Sequence, residues 1–473
     1  MSHAANLSSF TQPVSSDAFT GEQAASGRFV QKHARWTLNH CLEATQPRLV
    51  PTPVDPSHWM DDRIGWGIVL PDRPGADPAS LASAYDAPQP IQELVAKRQG
   101  KVLRYAAAPG YKRWTLRDYT SGDLLFAASA QGMGPKQLPM YLLIYGSPQE
   151  IPWELQYALN PVRYVGRLDI TGDALSNYVC ALLDDWAGSE ARYAAPVLWS
   201  VDHGGGDITT LMRESICGPI FEKLSADEDM RAVRYVNGSA EPASCDALVE
   251  ALKSNTPSLV ITTSHGQTGP LENPRAMRAN LGMLVDENQE TVRSERLLTS
   301  WQPDGAIWFA QACCSAGAGS PSVYSGLFEA RSTLAQVLDG VSTLGATTAP
   351  LPRALLGASK PLRAFVGRVE PTFNWTMSYP PNRQRLTSDI QRAIYDRLCT
   401  AQPVGLAFHE CYEAIGSLLI ARDQQLRDYN RHAGDVGRAA LEMALYSTVT
   451  AHDRAATVIL GDPTVAIPLP NKR

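Results

Sequence analysis

The sequence lacks long apolar runs and a marked excess of either charge. Within its 473 residues no stretch approaches 18 uninterrupted apolar residues, so we expect no transmembrane helix. The 42 Lys and Arg against 48 Asp and Glu give a net charge of −6, which argues against a nucleic-acid-binding protein with its basic stripe. The first residues show no basic patch followed by an apolar run, so no secretory signal is expected. We therefore expect a cytoplasmic protein without nucleic-acid or membrane partners.

Cysteine is sparse, and several catalytic motifs are missing. The eight cysteines are too few for a disulfide framework, and none shows the Cys-x-x-Cys spacing of zinc sites. The sequence contains neither His-Glu-x-x-His nor Gly-x-Ser-x-Gly, so we expect no metal, no other cofactor and no lipase-type serine nucleophile. The run His-Gly-Gly-Gly at 203–206 is similar to a lipase oxyanion loop, but without that nucleophile it favours a simple glycine-rich turn.

The composition is that of a globular protein, with 44% hydrophobic residues. Residues 1–28 are polar and predict a disordered tail. Residues 29–137 are irregular and rich in proline, which indicates an N-terminal α+β accessory region. Residues 138–473 form the main predicted domain, with a core at about 194–380 and with C-terminal helices and a last strand at 387–470. The two helices are expected at about 387–426 and 437–449.

After residue 194 short apolar segments alternate with amphipathic ones. This pattern predicts an α/β fold with a mostly parallel sheet flanked by helices. The loops at the carboxyl ends of such strands carry the functional site. One predicted strand, SLVITT, leads into His265 and Gly266, and the next, AIWFAQ, leads into Cys313 and Cys314. We therefore expect these residues at one edge of the sheet.

These residue types suit thiol catalysis. A cysteine peptidase needs a thiolate, an imidazole to exchange protons with it, and backbone N–H donors for the oxyanion. Cys313 follows His265 by 48 residues and is preceded by Gln311 and Ala312. A cysteine after Gln-Ala, about 50 residues after a histidine, is a local signature of caspases.

The sequence resembles the caspase-like superfamily, which includes caspases, metacaspases, separases, gingipains and bacterial CHAT-type peptidases. The matching segments are ITTSHG at 261–266, WFAQACCSAG at 308–317 and the Gly-Asp-Pro at 461–463. The strand-like segments 141–153 and 162–170 are similar to the region before the catalytic subdomain of gingipain-like proteins. The resemblance implies a caspase-hemoglobinase fold, a Cys–His dyad and hydrolysis of peptide bonds in protein substrates.

The resemblance also implies roles for single residues. His265 is the general base and acid, and the N–H groups of Gly266 and the nucleophile form the oxyanion hole. Gln311 and the alanine after it favour Cys313 as the nucleophile, whereas counting back from Gly317, as in metacaspases, favours Cys314. A role in activating a partner effector in bacterial antiviral defence or cell death, with an activating partner of its own, follows from the family alone.

Substrate contacts are predicted at the same edge. The candidates are Asp202 and Asp207 after the first strand of the core, and Arg368 and Glu370 in FVGRVEP. The position of Asp202 favours a basic residue before the scissile bond. The alternative function is a catalytically silent caspase-like scaffold or sensor. An active site differs from such a scaffold in having one reactive cysteine whose pKa is lowered by its imidazole neighbour.

Overall fold

Residues 54–106, 114–379 and 382–469 are described by the computed structural model. Contacts divide the chain into Met1–Asp55 and Pro56–Arg473, and the architecture below is that of the second unit. The predicted tail at 1–28 lies outside the described residues. Within the described part of the chain, no helix has the length and apolar character needed to cross a membrane.

The secondary structure alternates between strands and helices throughout this unit. The strands are β1 (Trp66–Pro71), β2 (Lys101–Tyr105), β3 (Leu116–Arg117), β4 (Leu124–Leu125), β5 (Ala130–Gln131), β6 (Gln137–Leu138), β7 (Tyr141–Tyr145), β8 (Tyr164–Leu168), β9 (Val197–Ser200), β10 (Arg234–Val236), β11 (Leu259–Thr263), β12 (His265–Gly266), β13 (Leu284–Val285), β14 (Ile307–Gln311), β15 (Gly317–Ala318), β16 (Thr347–Thr348), β17 (Ala364–Arg368), β18 (Ser378–Tyr379), β19 (Gln384–Arg385) and β20 (Thr457–Gly461). The α-helices are α1 (Pro78–Ser83), α2 (Gln89–Arg98), α3 (Trp153–Leu159), α4 (Gly172–Leu183), α5 (Ile208–Met212), α6 (Gly218–Ala226), α7 (Cys245–Asn255), α8 (Pro274–Asn280), α9 (Ser294–Ser300), α10 (Thr333–Ser342), α11 (Pro350–Leu356), α12 (Ser388–Gln391), α13 (Val404–Ala407), α14 (Glu410–Arg431) and α15 (Gly434–Ala455).

Twelve strands form one sheet in the order β10-β9-β11-β14-β17-β20-β8-β7-β1-β2-β3-β4. The first five strands of this order are mutually parallel and are called half-sheet A. The next five, β20 to β2, are also mutually parallel and are called half-sheet B. The halves meet where β17 pairs antiparallel with β20. The prediction of an α/β fold with a mostly parallel sheet flanked by helices is therefore confirmed.

The strands of half-sheet A form because their sequences are short, apolar and buried on both faces. Every residue of β11, β14 and β17 is buried, as expected for parallel strands covered by helices. The helices between them are capped locally. Ser244, for example, begins α7 by accepting a hydrogen bond from the main-chain N–H of Ala247 at 3.1 Å.

The N-terminal region differs from its prediction. Residues 29–137 were expected to form an accessory region, but β1 and β2 lie in the main sheet, where β1 pairs in parallel with β7 in the register Trp66↔Tyr141. The boundary between units falls after Asp55 instead of near residue 137. Two features make these strands hard to recognise in the sequence. Prolines interrupt the apolar pattern around them, and the pairing of β1 with β7 joins segments about 75 residues apart.

Two C-terminal helices also differ from their predictions. The helix expected from about residue 387 to 426 is divided into several segments, and α14 begins only at Glu410. Pro403 lies at the break, where a proline cannot donate the hydrogen bond that a continuous helix needs. The helix expected at 437–449 is longer and spans Gly434–Ala455.

The Gly-Asp-Pro segment at the end of β20 links this strand to the rest of half-sheet B. The carboxylate of Asp462 is fully buried and accepts hydrogen bonds from Trp66 Nε1 at 3.0 Å and from Arg98 Nη1 at 3.1 Å. Trp66 lies in β1 and Arg98 ends α2. This part of the family-like motif thus has a structural function here.

The pairing of β8 with β20 depends on a glycine. A Cβ atom added to Gly166 would lie 2.1 Å from the carbonyl oxygen of Gly461. We predict that Gly166→Ala lowers the free energy of unfolding by about 1–3 kcal/mol, because overpacking must displace main chain. Gly416→Ala is the control, since nothing lies within 4 Å of the added Cβ in exposed α14, and it should raise stability by about 1 kcal/mol. Urea unfolding of both variants measures the difference, and equal stabilities would contradict the packing described.

Candidate active site

Three adjacent strands of half-sheet A end at the same edge and place the predicted residues there. Thr263, the last residue of β11, pairs with Ser200 of β9 on one side and with Gln311 of β14 on the other. Thr263 and Gln311 lie side by side, and His265 and Cys313 each come two residues after one of them. Asp207 stands in the loop that leaves β9.

His265 is oriented by a carboxylate. Its Nε2 lies 3.1 Å from Oδ2 of Asp207. Asp207 is the N-cap of α5 and accepts hydrogen bonds from the N–H of Thr209 at 2.9 Å and from its hydroxyl at 2.5 Å. Burial raises the pKa of Asp207, but the hydrogen bonds from Thr209 and the nearby His265 outweigh this effect and leave it below its ordinary value. Asp207 is therefore ionised at neutral pH and holds the imidazole from one side.

The glycine-rich run after β9 supports this arrangement. Its three glycines all have positive φ angles and form the turn that leads to Asp207. His203 stacks on His265 with ring centroids 5.5 Å apart and an angle of 20° between the ring planes. The interpretation of 203–206 as a turn therefore fits the structure, and the turn also packs one face of the imidazole.

Gly266 brings the histidine loop to the cysteine loop. A Cβ atom on Gly266 would lie 1.9 Å from the carbonyl oxygen of Cys313. The main-chain N–H of Gly266 lowers the pKa of the Cys313 thiol, although by less than burial raises it. Only glycine permits this approach of two backbones, so the residue beside His265 fixes where Cys313 lies.

The two adjacent cysteines occupy different environments. Cys313 is partly exposed, whereas Cys314 is buried, has a φ of +54° and packs in an apolar cluster with Met277, Leu281 and Val341. Of the pair, Cys313 is the one whose backbone meets Gly266, beside His265. The geometry therefore favours Cys313 as the thiol of this site, and its role as nucleophile stays a prediction.

The pKa of the Cys313 thiol is raised, whereas a lowered pKa is expected of an active-site cysteine. Burial raises the pKa of the Cys313 thiol above its ordinary value of 9.0, and the N–H groups of Thr372 and Gly266 offset this effect only in part. In the structure the thiol is therefore largely protonated at neutral pH.

Thr372 is a site residue that the sequence did not reveal. Its main-chain N–H donates to Sγ of Cys313 at 3.4 Å, and its carbonyl oxygen lies 3.7 Å from the same sulfur. The contact is made by the backbone of the loop after β17, so no side-chain type marks it in the sequence. A search for loops at the carboxyl ends of neighbouring strands would have found the segment but not the residue.

Three of the four predicted substrate contacts are engaged within the protein. Asp202 forms a salt bridge with Arg213 at 3.0 Å, and Arg368 forms a buried ion pair with Asp453. Glu370 is 2% exposed and accepts a hydrogen bond from the Ser322 hydroxyl at 2.7 Å. The prediction that Arg368 and Glu370 contact substrate is therefore corrected, because both are covered by the loops around β17.

Asp207, the fourth candidate, is partly exposed and contacts His265. This contact suits a residue that orients the imidazole, and its role in substrate binding stays a prediction. The signal in the sequence was its position at the carboxyl end of β9, which placed it at the correct edge but did not distinguish the two roles.

One group of side chains among the described residues has metal-ligand geometry. Atoms of Cys245, Asp286 and Glu290 lie within 4.8 Å of one another. The Asp286 carboxylate, however, accepts hydrogen bonds from the N–H groups of Cys245 at 2.8 Å and of Glu290 at 2.9 Å. It thus ties α7 to the turn after β13, and we assign no cofactor to it.

The buried Glu370 predicts a pH effect on stability. Burial, opposed by the Ser322 hydrogen bond, raises its pKa from 4.5 to about 7. The folded protein therefore binds a proton more tightly than the unfolded chain, and this contribution to stability, present below pH 4.5, is lost as the pH rises to 7. The shift corresponds to roughly 3 kcal/mol. The free energy of unfolding, measured with denaturant at pH 5 and pH 8, should change less between the two pH values in Glu370→Gln than in the wild type. An equal change in both proteins would contradict the raised pKa of Glu370.

Comparisons of the chain with protein-family models, with curated proteins and with solved structures find no match. The resemblance to caspase-like peptidases accordingly rests on the motif residues.

Proposed function

We propose that this protein is a cysteine endopeptidase that hydrolyses peptide bonds in protein substrates through Cys313 and His265. The observation that carries the proposal is the close approach of Gly266 to the backbone of Cys313, at the sheet edge where His265 also lies. This contact joins the nucleophile, a backbone donor and the loop of the imidazole in one place. Those are the three components that thiol-dependent acyl transfer needs.

The reaction follows from these positions. Because Asp207 lies at Nε2 of His265, the other ring nitrogen, Nδ1, takes the thiol proton as Sγ of Cys313 attacks the scissile carbonyl carbon. The N–H groups of Gly266 and Cys313 donate to the oxyanion. His265 then gives its proton to the leaving amine, and a thioester remains on Cys313. Water, deprotonated by His265, attacks the thioester and releases the acid and the free thiol.

The protonated thiol indicates how the first step is organised. A thiol whose pKa is raised by burial does not exist as a preformed thiolate–imidazolium pair. Proton transfer to His265 therefore accompanies attack on the carbonyl. The rate of reaction of Cys313 should accordingly rise with pH beyond the ordinary range of a cysteine.

The architecture supports the same proposal at a coarser level. Half-sheet A, followed by antiparallel β20, is compatible with a caspase-hemoglobinase fold. Activation of a partner effector in a bacterial defence or cell-death pathway of the cytoplasm is part of the proposal through the resemblance alone. A basic residue before the scissile bond loses its support, because Asp202 is paired with Arg213.

Cleavage of a diverse peptide library tests the proposal. We expect the wild type to cut and both Cys313→Ala and His265→Ala to lose at least about 10²-fold in rate, since each removes a reacting group. Cys314→Ala should still cut, because this thiol is in the core. Cys180→Ala, which changes an exposed cysteine, is the matched control. Fragment sequencing by mass spectrometry reads out the preferred residue.

Cleavage that survives both Cys313→Ala and His265→Ala would contradict the thiol mechanism. Absence of cleavage by the wild type, with or without cell extract as a source of an activating partner, would favour the second candidate, a silent caspase-like scaffold. The raised pKa of Cys313 is the specific observation in favour of that alternative.

Asp207→Asn tests the orientation of His265. Asparagine can still cap α5, but its amide N–H₂ would face Nε2 and favour the tautomer with the proton on Nδ1, which cannot accept the thiol proton. We predict a decrease in kcat of about 10²-fold or more with little change in KM. Steady-state kinetics on the best library peptide measures both constants. An unchanged kcat would show that Asp207 does not orient the base.

A further inference from the structure

Thr372 connects the thiol of the site to the protein interior. Its main chain contacts Sγ of Cys313 through N–H, at 3.4 Å, and through the carbonyl oxygen, at 3.7 Å. Its hydroxyl, in contrast, belongs to a buried network. Thr372 is 5% exposed, so neither end of the residue is free to adopt another conformation without breaking internal contacts.

The hydroxyl of Thr372 has three partners in that network. It donates to Oδ1 of Asp453 at 3.1 Å and accepts from Nη2 of Arg368 at 3.0 Å and from Nε2 of Gln311 at 3.1 Å. Gln311 ends β14, Arg368 ends β17 and Asp453 lies in the last turn of α15. Three separate elements therefore fix one side chain.

Arg368 and Asp453 form an ion pair that is almost entirely buried. Arg368 is 3% exposed and Asp453 is 1% exposed. The hydroxyl of Thr376 donates to the Asp453 carboxylate, and the hydroxyl of Thr457 accepts from the Arg368 guanidinium. Burying two charges costs so much desolvation that well-packed apolar residues are often as stable or more so. A contribution to stability is therefore a weak explanation for this pair, and its position under Thr372 points to another.

We propose that Arg368 and Asp453 are positioning residues, which hold the Thr372 hydroxyl so that the Thr372 N–H donates to Sγ of Cys313. The proposal rests on the proposed function in taking Cys313 as the nucleophile. Through Asp453, helix α15 is then a component of the site, although it is distant in sequence from the three strands that carry the reacting groups.

The electrostatic environment agrees with this arrangement. After burial, which raises the pKa of Cys313 most, the Thr372 N–H lowers it, Asp453 raises it and Arg368 lowers it. The two charges have opposite effects on the pKa of the thiol. Of these three groups, the Thr372 N–H is the one that is hydrogen-bonded to the sulfur, at 3.4 Å.

A matched pair of substitutions at residue 372 tests the proposal. Thr372→Val keeps the side-chain shape and the main-chain N–H but removes the hydroxyl, whereas Thr372→Ser keeps the hydroxyl. The measurement is the rate of alkylation of Cys313 by iodoacetamide at a fixed pH, with the modified peptide quantified by mass spectrometry. We expect Thr372→Val to react about tenfold more slowly, the effect of one hydrogen bond to a charged group, and Thr372→Ser to react within about twofold of the wild type.

Asp453→Asn extends the test, with Asp389→Asn as its control. Asp389 forms a neighbouring ion pair with Arg454, the residue next to Asp453, and is not among the hydrogen-bond partners described for Thr372. Both variants break an internal ion pair, but only Asp453→Asn should slow alkylation of Cys313. Loss of the Asp453 charge alone would lower the pKa of the thiol and speed the reaction, so a faster reaction of this variant would contradict the positioning role. If Asp453→Asn does not fold, the two variants at residue 372 decide the question.

Equal alkylation rates in Thr372→Val and the wild type, or a faster rate in the variant, would overturn the proposal. So would an equal effect of Asp389→Asn, since this would indicate a general loosening of the fold. Alkylation does not depend on peptidase activity. A slow Thr372→Val together with a wild type that cuts no peptide would therefore refute the proposed function and leave the positioning role intact.

Discussion

The close approach of two backbones, at Gly266 and Cys313, is the constraint on which the site depends. Strands β11 and β14 are parallel neighbours, and the loops that leave them meet at the edge of the sheet. Because Gly266 has no side chain, its main chain comes so near that a Cβ atom would meet the carbonyl oxygen of Cys313 at 1.9 Å. The relation of imidazole, thiol and backbone donor is therefore determined by the packing of two strand ends.

The remaining parts of the site are supported from opposite sides. On one side, the loop after β9 presents Asp207 to Nε2 of His265. On the other side, the loop after β17 is fastened to the cysteine loop by main-chain hydrogen bonds, from Cys314 N–H to Glu370 at 3.0 Å and from Ala316 N–H to Arg368 at 2.8 Å. The imidazole is thus held by a carboxylate near the surface, and the thiol is held by backbone groups anchored in the interior. Because the thiol is surrounded by protein, burial raises its pKa and the thiol keeps its proton at neutral pH.

The parts that could be predicted from the sequence are those with strong local signals. The apolar strands of half-sheet A are short and bounded by loops, and the order of strands and helices places His265 and Cys313 at one edge. The choice between Cys313 and Cys314 could not be made locally, because it depends on which side chain the turn buries. Strand β1 was missed, since its partner β7 lies far along the chain and prolines interrupt the pattern.

The buried charges were mispredicted for a physical reason. Charged residues in loops after strands are usually exposed, so Arg368 and Glu370 suggested contacts with substrate. Arg368 is covered because α15, more than 60 residues later, supplies Asp453 as its partner. Such a pairing, and the main-chain contacts of Thr372 above it, leave no pattern in a single sequence.

Cys313 and His265 are proposed to act as one reacting unit. Labelling with peptidyl acyloxymethyl ketones, with the site of attachment located by mass spectrometry, tests it most directly, because the reagent must bind like a substrate and react with an activated thiol. We predict a single adduct at Cys313 that forms about 10²-fold more slowly in His265→Ala. Adducts spread over several cysteines, formed at the same rate with and without His265, would contradict the claim.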